Sequence, residues 1–255
     1  MITAHYITNQ GRRKNNEDAI LLCNEIITNN SVGIKTVEEN QALFIVADGM
    51  GGYNRGEYAS WLILNSFKES DFNLEINIKQ AKEKLDQEVK KDKTLLNFGA
   101  VIAGIFIDHN RATIFNCGDS RVYRYNSGFL EQLSYDHSIV QQLVELGEIE
   151  LKEMRKHPKK NMVTSAICGD LTNELPLFYS KEINLKANTI FFICSDGIWE
   201  SGDIEEIETC FLDLNSCLEC LEKLVFKSDV EDNFSGVVLE IKLGNRENLD
   251  SKDKK

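Results

Sequence analysis

Several acids in this chain stand where apolar runs end or glycines begin, a setting that suits the capture of a hard cation. Asp48 follows Leu43-Phe44-Ile45-Val46-Ala47 and opens the run Asp48-Gly49-Met50-Gly51-Gly52. A carboxylate at the end of a buried strand is costly to desolvate unless a cation or hydrogen-bond donors meet it. The glycines let the backbone turn sharply and bring carbonyl oxygens close to whatever the acid binds. Glu17-Asp18 follow Asn16, Asp196-Gly197 follow Phe191-Phe192-Ile193-Cys194-Ser195, and Asp232-Asn233 precede Phe234-Ser235-Gly236. Four dispersed acidic sites of this kind point to a cluster of oxygen ligands around a hard cation.

Holding such a cluster together requires strands that end at one place. Apolar alternation and β-branched runs predict strands over 4–8, 18–23, 42–47, 100–107, 112–116, 121–125, 189–194 and 236–241. Asp108-His109-Asn110 reads as a hairpin turn between two of them. Helices are predicted over 56–67, 78–90, 138–146, 151–156, 204–211 and 216–225. The first is apolar over a wide arc, so it packs one side on a sheet. The second carries the single stripe Ile78, Ala81, Leu85 and Val89, which leaves its other face wet. Strands come in antiparallel runs rather than in alternation with helices, which argues for α+β layering. The charged, aperiodic residues 245–255 read as a frayed tail.

The chain has 255 residues, 42% of them hydrophobic, which is enough for a sizeable core. Its formal net charge of -12 argues against a nucleic-acid surface. No apolar run is long enough to span a bilayer, and no export signal opens the chain. The seven cysteines fit a reducing, cytoplasmic compartment. Cys117 and Cys194 lie in apolar strand-like runs and read as small buried hydrophobes. Cys217-Leu218-Glu219-Cys220 lies in a helical stretch with no second Cys/His pair to complete a zinc site.

Six segments, in order, carry a resemblance. They are Arg13-Lys14-Asn15-Asn16-Glu17-Asp18, Asp48-Gly49-Met50-Gly51-Gly52, Asn116-Cys117-Gly118-Asp119-Ser120-Arg121, Leu133-Ser134-Tyr135-Asp136-His137-Ser138, Ser195-Asp196-Gly197-Ile198-Trp199-Glu200 and Glu231-Asp232-Asn233. Together the chain resembles the metal-dependent protein Ser/Thr phosphatases, the protein phosphatase 2C family, in its compact bacterial form. The resemblance implies a four-layer α-β-β-α sandwich of two antiparallel sheets, with a bimetal site at one end. It implies one domain over 1–244 with a flap at about 141–163. Asp48 would bridge two divalent cations, Mn²⁺ or Mg²⁺. Asp196 and Asp232 would complete one ion's ligands, and Glu17 with the Gly49 carbonyl would serve the other. Asp18 would orient water from behind the ligands, and Asp119 with Asp196 would hold a third, weaker ion. Arg13 is a fork-shaped donor for phosphate oxygens, with pairing to the site's own acids as its alternative.

The implied activity is hydrolysis of phosphoserine and phosphothreonine in proteins by a metal-activated water, opposing a Ser/Thr kinase in the cytoplasm, by a monomer. A phosphatase devoted to one regulatory partner, of the anti-sigma-factor-antagonist type, and a metal-poor phosphoprotein-binding module are the other readings. Two departures bear on the site and a third on packing only. Met50 stands where relatives with Asp-Gly-His-Gly-Gly place a proton-donating His. Ser165 stands where the Thr-Arg-Ala-Leu-Gly pattern has Arg, and Phe98-Gly99-Ala100-Val101 replaces Gly-Thr-Thr. Lys152, Arg155, Lys156, Lys159 and Lys160 crowd the flap of an acidic chain and are expected to meet an anionic substrate surface.

Overall fold

The computed structural model describes residues 1–51, 55–69 and 71–242. Gly52 and the expected tail at 245–255 lie outside the described residues. The strands are β1 (Ile2–Asn9), β2 (Asp18–Leu22), β3 (Glu25–Ile27), β4 (Ser31–Val37), β5 (Gln41–Met50), β6 (Gly99–Asp108), β7 (Arg111–Cys117), β8 (Arg121–Asn126), β9 (Phe129–Gln132), β10 (Ile167–Cys168), β11 (Tyr179–Asn184), β12 (Thr189–Cys194) and β13 (Phe234–Ile241). The helices are α1 (Gly56–Lys68), α2 (Leu74–Lys91), α3 (Ile139–Glu145), α4 (Asp196–Trp199), α5 (Ile204–Thr209) and α6 (Cys217–Lys227).

Two antiparallel sheets face each other. One runs β4-β1-β13-β12-β8-β9; the other runs β11-β7-β6-β5-β2-β3, with β10 added on β6. Strand alternation sends one set of side chains between the sheets and the other outward. Phe44, Val46, Ile20 and Leu22 meet Phe191, Ile193, Val237 and Leu239 in the middle layer. The outward set from β5, including Ile45 and Ala47, packs under α1 and α2. Phe192, Cys194 and Val238 pack outward under α4, α5 and α6. The structure is thus the expected four-layer α-β-β-α sandwich.

α2 illustrates how sequence becomes packing. Asn73 caps it by accepting from the Ile76 N–H at 3.2 Å, and Leu74, Ile78, Ala81, Leu85 and Val89 form its buried stripe. Each fully buried Leu or Ile contributes about 1.5–3 kcal/mol, and Leu85→Ala would cost about 2–5 kcal/mol. The helix stops at Asp92, whose backbone turns extended and whose carboxylate accepts from Thr94.

Four expectations shift. The segment 151–156 is a 3-10 turn rather than an α-helix, capped reciprocally by Glu150 and Glu153. The predicted helix over 204–211 ends at Thr209 and continues as a 3-10 turn, Cys210–Leu212. The short strands β3, β4, β9, β10 and β11 add to the eight expected. Finally, the cysteines are not all free: Cys210 and Cys220 form a disulfide with Cα atoms 5.3 Å apart. The partner of Cys220 lies ten residues back, where the 3-10 turn folds onto α6.

Candidate active site

The inward rows of the sandwich are apolar until one end, where each turns polar. On β1 the row is Ala4, Tyr6, Thr8; on β2, Leu22, Ile20, Asp18; on β5, Phe44, Val46, Asp48. On β12 and β13, which share a sheet with β1, the rows lead from Ile193 to Ser195 and from Val237 back to Ser235. Register brings these ends together: Asp18 pairs with Asp48 across β2 and β5, and Thr8 with Ser235 across β1 and β13. The two sheets are laced here by hydroxyls. Ser195 Oγ donates to Asp18 Oδ2 at 2.8 Å and accepts from the Ser235 N–H at 2.9 Å, while Ser235 Oγ and Thr8 Oγ1 lie 2.8 Å apart.

The remaining acids enter from loops at this end. Asp196 opens α4 directly after β12, Asp119 sits in the β7–β8 turn, Asp232 precedes β13, and Glu17 precedes β2. Burial pushes the Asp48 carboxyl well above the ordinary range, and Asp196, Asp18, Asp232 and Asp119 add their charges. Asp196 is raised for the same reasons, with Asp119, Glu200, Asp232 and Asp18 as neighbours. Burial raises Asp18 to about 7 despite hydrogen bonds from Ser235 and Ser195. Asp119 is raised to about 7, by burial first and the charge of Asp136 second. Glu17 is raised more gently, by burial and then Glu57, with the Gly56 backbone holding it down.

Close backbone approach makes this packing possible. A Cβ on Gly197 would sit 2.0 Å from the Asn233 carbonyl oxygen, so only glycine lets α4 lie against the Asp232 loop. A Cβ on Gly56 would sit 2.9 Å from both Glu17 Oε2 and the Gly49 carbonyl oxygen, so both oxygens approach the start of α1 closely.

Asp232 and Arg13 are paired with each other. Arg13 Nη2 donates to Asp232 Oδ2 at 2.9 Å and its Nε donates to the Glu231 carbonyl at 2.6 Å. The alternative of pairing with the site's own acids is therefore the arrangement seen. Sequence reading passes over Asn233, which positions the whole Arg13–Glu17 loop. Its amide donates to the Gln10 and Asn15 carbonyls at 2.9 and 2.8 Å and accepts from the Glu17 N–H at 2.8 Å. The Asp-Asn pair is visible, but an Asn that satisfies three backbone groups at long range leaves no local pattern.

Two further residues escape the sequence reading. Glu200, buried just beyond α4, is met by Lys160 from the flap. Trp199 donates from Nε1 to the Asp119 carbonyl at 3.0 Å, and the Arg121 guanidinium lies 3.6 Å above its ring. Arg121 in turn grips buried Asp136 through Nε and Nη2 at 2.9 and 2.6 Å. Asp136 thus braces the turn that carries Asp119. The flap springs from an isolated bridge between Ser138 and Val163. Of its five cations, Arg155 is held by Asp203, Lys160 by Glu200 and Lys152 by Glu150. Lys156 and Lys159 make no ion pair among the described residues, so the free positive face is smaller than the sequence implies.

The donor set fits divalent cations. It is all oxygen, as hard ions require. Asp18 Oδ1, Asp196 Oδ1 and Glu200 Oε1 are buried without any hydrogen-bond partner, and buried polar atoms ordinarily have one. The acids are not drawn into a closed chelate: among the described residues no three His, Cys, Asp or Glu side chains are disposed to hold one ion together.

Comparison with known proteins gives the family and the fold. The sequence profile of the family described as protein phosphatase 2C matches residues 4–147. The serine/threonine phosphatase stp of Listeria monocytogenes serovar 1/2a is 29% identical over 254 residues, covering 93% of this chain and 95% of the relative. The crystal structure of the serine/threonine phosphatase Stp1 from Staphylococcus aureus superposes with a TM-score of 0.78 at 25% identity, covering 95% of this chain and 96% of that one. The catalytic domain of the serine threonine protein phosphatase PstP, solved in complex with two manganese ions, shares the fold with a TM-score of 0.74 at 22% identity, covering 95% of this chain and all of that one.

Proposed function

Because the chain belongs to the protein phosphatase 2C family, we propose that its acid-lined end hydrolyses phosphoserine and phosphothreonine in proteins. The observation that carries this reading is the convergence, from both sheets, of carboxylates whose protonation is pushed upward first by burial and then by one another's charge. Asp48, Asp196 and Asp232 would hold one divalent cation, and Asp48, Glu17 and the Gly49 carbonyl a second. Asp119 with Asp196 would take a third, weaker ion. The family and the manganese-bound relative support Mn²⁺ or Mg²⁺. Such ions supply a reactive water at neutral pH and neutralise phosphoryl charge.

The protein's own residues set the stage for that chemistry. Asp18 stands behind Asp48, held by Ser195, and orients groups from a site without access to solvent. Arg13, half-exposed at 54%, leaves Asp232 to meet the phosphate oxygens when substrate arrives. Met50 carries no proton to give, so protonation of the leaving serine or threonine oxygen falls to water. The setting we propose is cytoplasmic, as a monomer opposing a Ser/Thr kinase. No described helix is long and apolar enough to cross a membrane, and five cysteines are free; the Cys210–Cys220 bridge runs counter to a reducing compartment.

The test is Mn²⁺-dependent turnover of a small aryl phosphate. Asp48→Asn should abolish it without loss of the cooperative unfolding transition. Near wild-type turnover by that variant would remove Asp48 from the reaction.

A further inference from the structure

A groove of about 510 Å³ leads away from the acid-lined end, and nothing in the phosphate chemistry requires it. Met50 lines it; this residue shares a face of β5 with Asp48 and lies two residues further on, about 7 Å along the strand. One wall is the base of the flap, with Val163 and Ala166. The other is the segment that carries Glu174, Leu175 and Leu177.

Three properties of that outer wall point to one kind of occupant. First, Leu175 and Leu177 are 37% and 71% exposed, in a chain that buries most of its leucines. Second, residues 173–176 belong to no strand, and among the described residues their backbone makes no backbone–backbone hydrogen bond. The N–H groups of Asn173, Glu174 and Leu175 and the C=O groups of all four residues are open to an added extended chain, as in recognition by strand addition, while Pro176 offers no N–H. The segment is nevertheless fixed, because Ser165 Oγ donates to the Leu177 carbonyl at 2.8 Å. Third, the charge available in the groove is negative. The Lys82 ammonium is buried and consumed by Asp170, Asp86 and the Cys168 carbonyl. Glu174 is exposed and makes no ion pair among the described residues.

We propose that this groove binds the extended segment beside the phosphorylated residue of a protein substrate, and selects an apolar side chain there followed by Lys or Arg. The proposal rests on the phosphatase reading above and specifies its substrate class. The apolar side chain packs against Leu175, Leu177 and Met50, and the base meets Glu174. Acidic sequences are excluded by the same Glu174 and by the chain's negative field. Ser165 contributes by keeping the floor uncharged and the outer wall in place.

The experiment compares kcat/KM on a small aryl phosphate with kcat/KM on two sets of phosphothreonine peptides, all with Mn²⁺. One set places Leu and Lys within three positions of the phosphothreonine, on either side; the other places Glu at the same positions. The unmodified protein should favour the Leu/Lys peptides by about tenfold or more, the discrimination expected of an apolar contact with charge matching. Glu174→Lys should lower turnover of the Leu/Lys peptides and raise that of the Glu peptides. Leu177→Ser should erase the preference for Leu. Neither change touches the acids, so the aryl phosphate should be turned over as before. Equal kcat/KM on both peptide sets, with aryl phosphate still hydrolysed, overturns the groove and leaves the phosphatase reading standing. The groove is overturned as well if both variants lose aryl phosphate and peptide in equal measure. No hydrolysis of aryl phosphate by the unmodified protein overturns both.

Discussion

Replacing Asp18 by Asn isolates what crowding costs at the acid-lined end. Asp18 is 1% exposed, so solvent does not screen it. Burial raises its carboxyl from 3.8 to about 7, against hydrogen bonds from Ser235 and Ser195 that pull it down. In the unfolded chain the group ionises near 4; in the folded chain it keeps its proton to near neutrality. Between those values the folded state binds the extra proton, so stability falls as pH rises. It is fully present below the unfolded pKa and lost as pH passes the folded one. The slope is about 1.4 kcal/mol per pH unit. Asn cannot titrate but can still accept the Ser195 hydroxyl. In a chelator, the stability advantage of Asp18→Asn over the unmodified protein should therefore grow by about 3 kcal/mol between pH 5 and pH 8. Urea unfolding at both pH values measures it. With Mn²⁺ restored the pH dependence should flatten, because cations then take the place of protons. A gap that stays constant with pH, or narrows as pH rises, would refute burial as the dominant influence on Asp18.

Three further outcomes follow from the contacts described. Arg13→Ala should raise KM for aryl phosphate by about tenfold, the worth of one charged hydrogen bond, while calorimetry shows Mn²⁺ affinity not reduced, since Asp232 is released; a loss of Mn²⁺ binding contradicts this. Lys160→Met strands the buried Glu200 carboxylate and should destabilise the protein by about 2 kcal/mol in urea, whereas neutralising Lys156 and Lys159 should leave stability unchanged and slow only phosphoprotein substrates. That second effect should fade with salt, because exposed charges are screened over roughly 8 Å at physiological ionic strength; equal losses on aryl phosphate would tie the two lysines to the metal site. Asp136→Asn leaves Arg121 as an unpaired buried charge and should cost about 3–5 kcal/mol in unfolding free energy; a change below about 1 kcal/mol, on the order of a surface pair, would deny Asp136 its bracing role.

How legible all this is in the sequence depends on position in the sheet. β12, flanked by strands on both sides and by packing on both faces, is read to the residue, and β2, β5, β6 and β13 are found with ends short or long by a few residues. Of the strands that go unread, β3, β4, β9 and β11 are the four edges of the two sheets. On β11 only Tyr179 and Ile183 are shielded even partly, and on β4 the alternating Val32 and Ile34 are exposed while Gly33 and Lys35 take the more shielded positions, so neither strand carries a buried apolar row. The acids are legible because each sits next to a strong local signal. Their partners are not. Asn233 reaches back 218 residues to the Asn15 carbonyl, and Ser195 reaches 177 residues to Asp18. A residue whose meaning is set by a contact that remote has no neighbourhood in the sequence to reveal it.

The inward rows that run apolar and end in acid also make the sandwich mechanically uneven along its length. At the far end Ile2, Ala42, Ile107 and Ile241 seal the layers with hydrocarbon. At the near end like charges press on each other across the gap, Asp48 from one sheet and Asp196 with Asp232 from the other. On the proposed reading, a divalent ion gripped from both sides would work there as a rivet: its affinity would become work needed to part the layers. Without it the sandwich resembles a clothes-peg, sprung shut at the hydrocarbon end and pried at the jaws. Opening should then start at the jaws and travel inward, so that the amides of β5 near Asp48 exchange through small local openings while those near Ala42 wait for the whole fold to give way. The ion that readies the site for chemistry would at the same time even out that gradient.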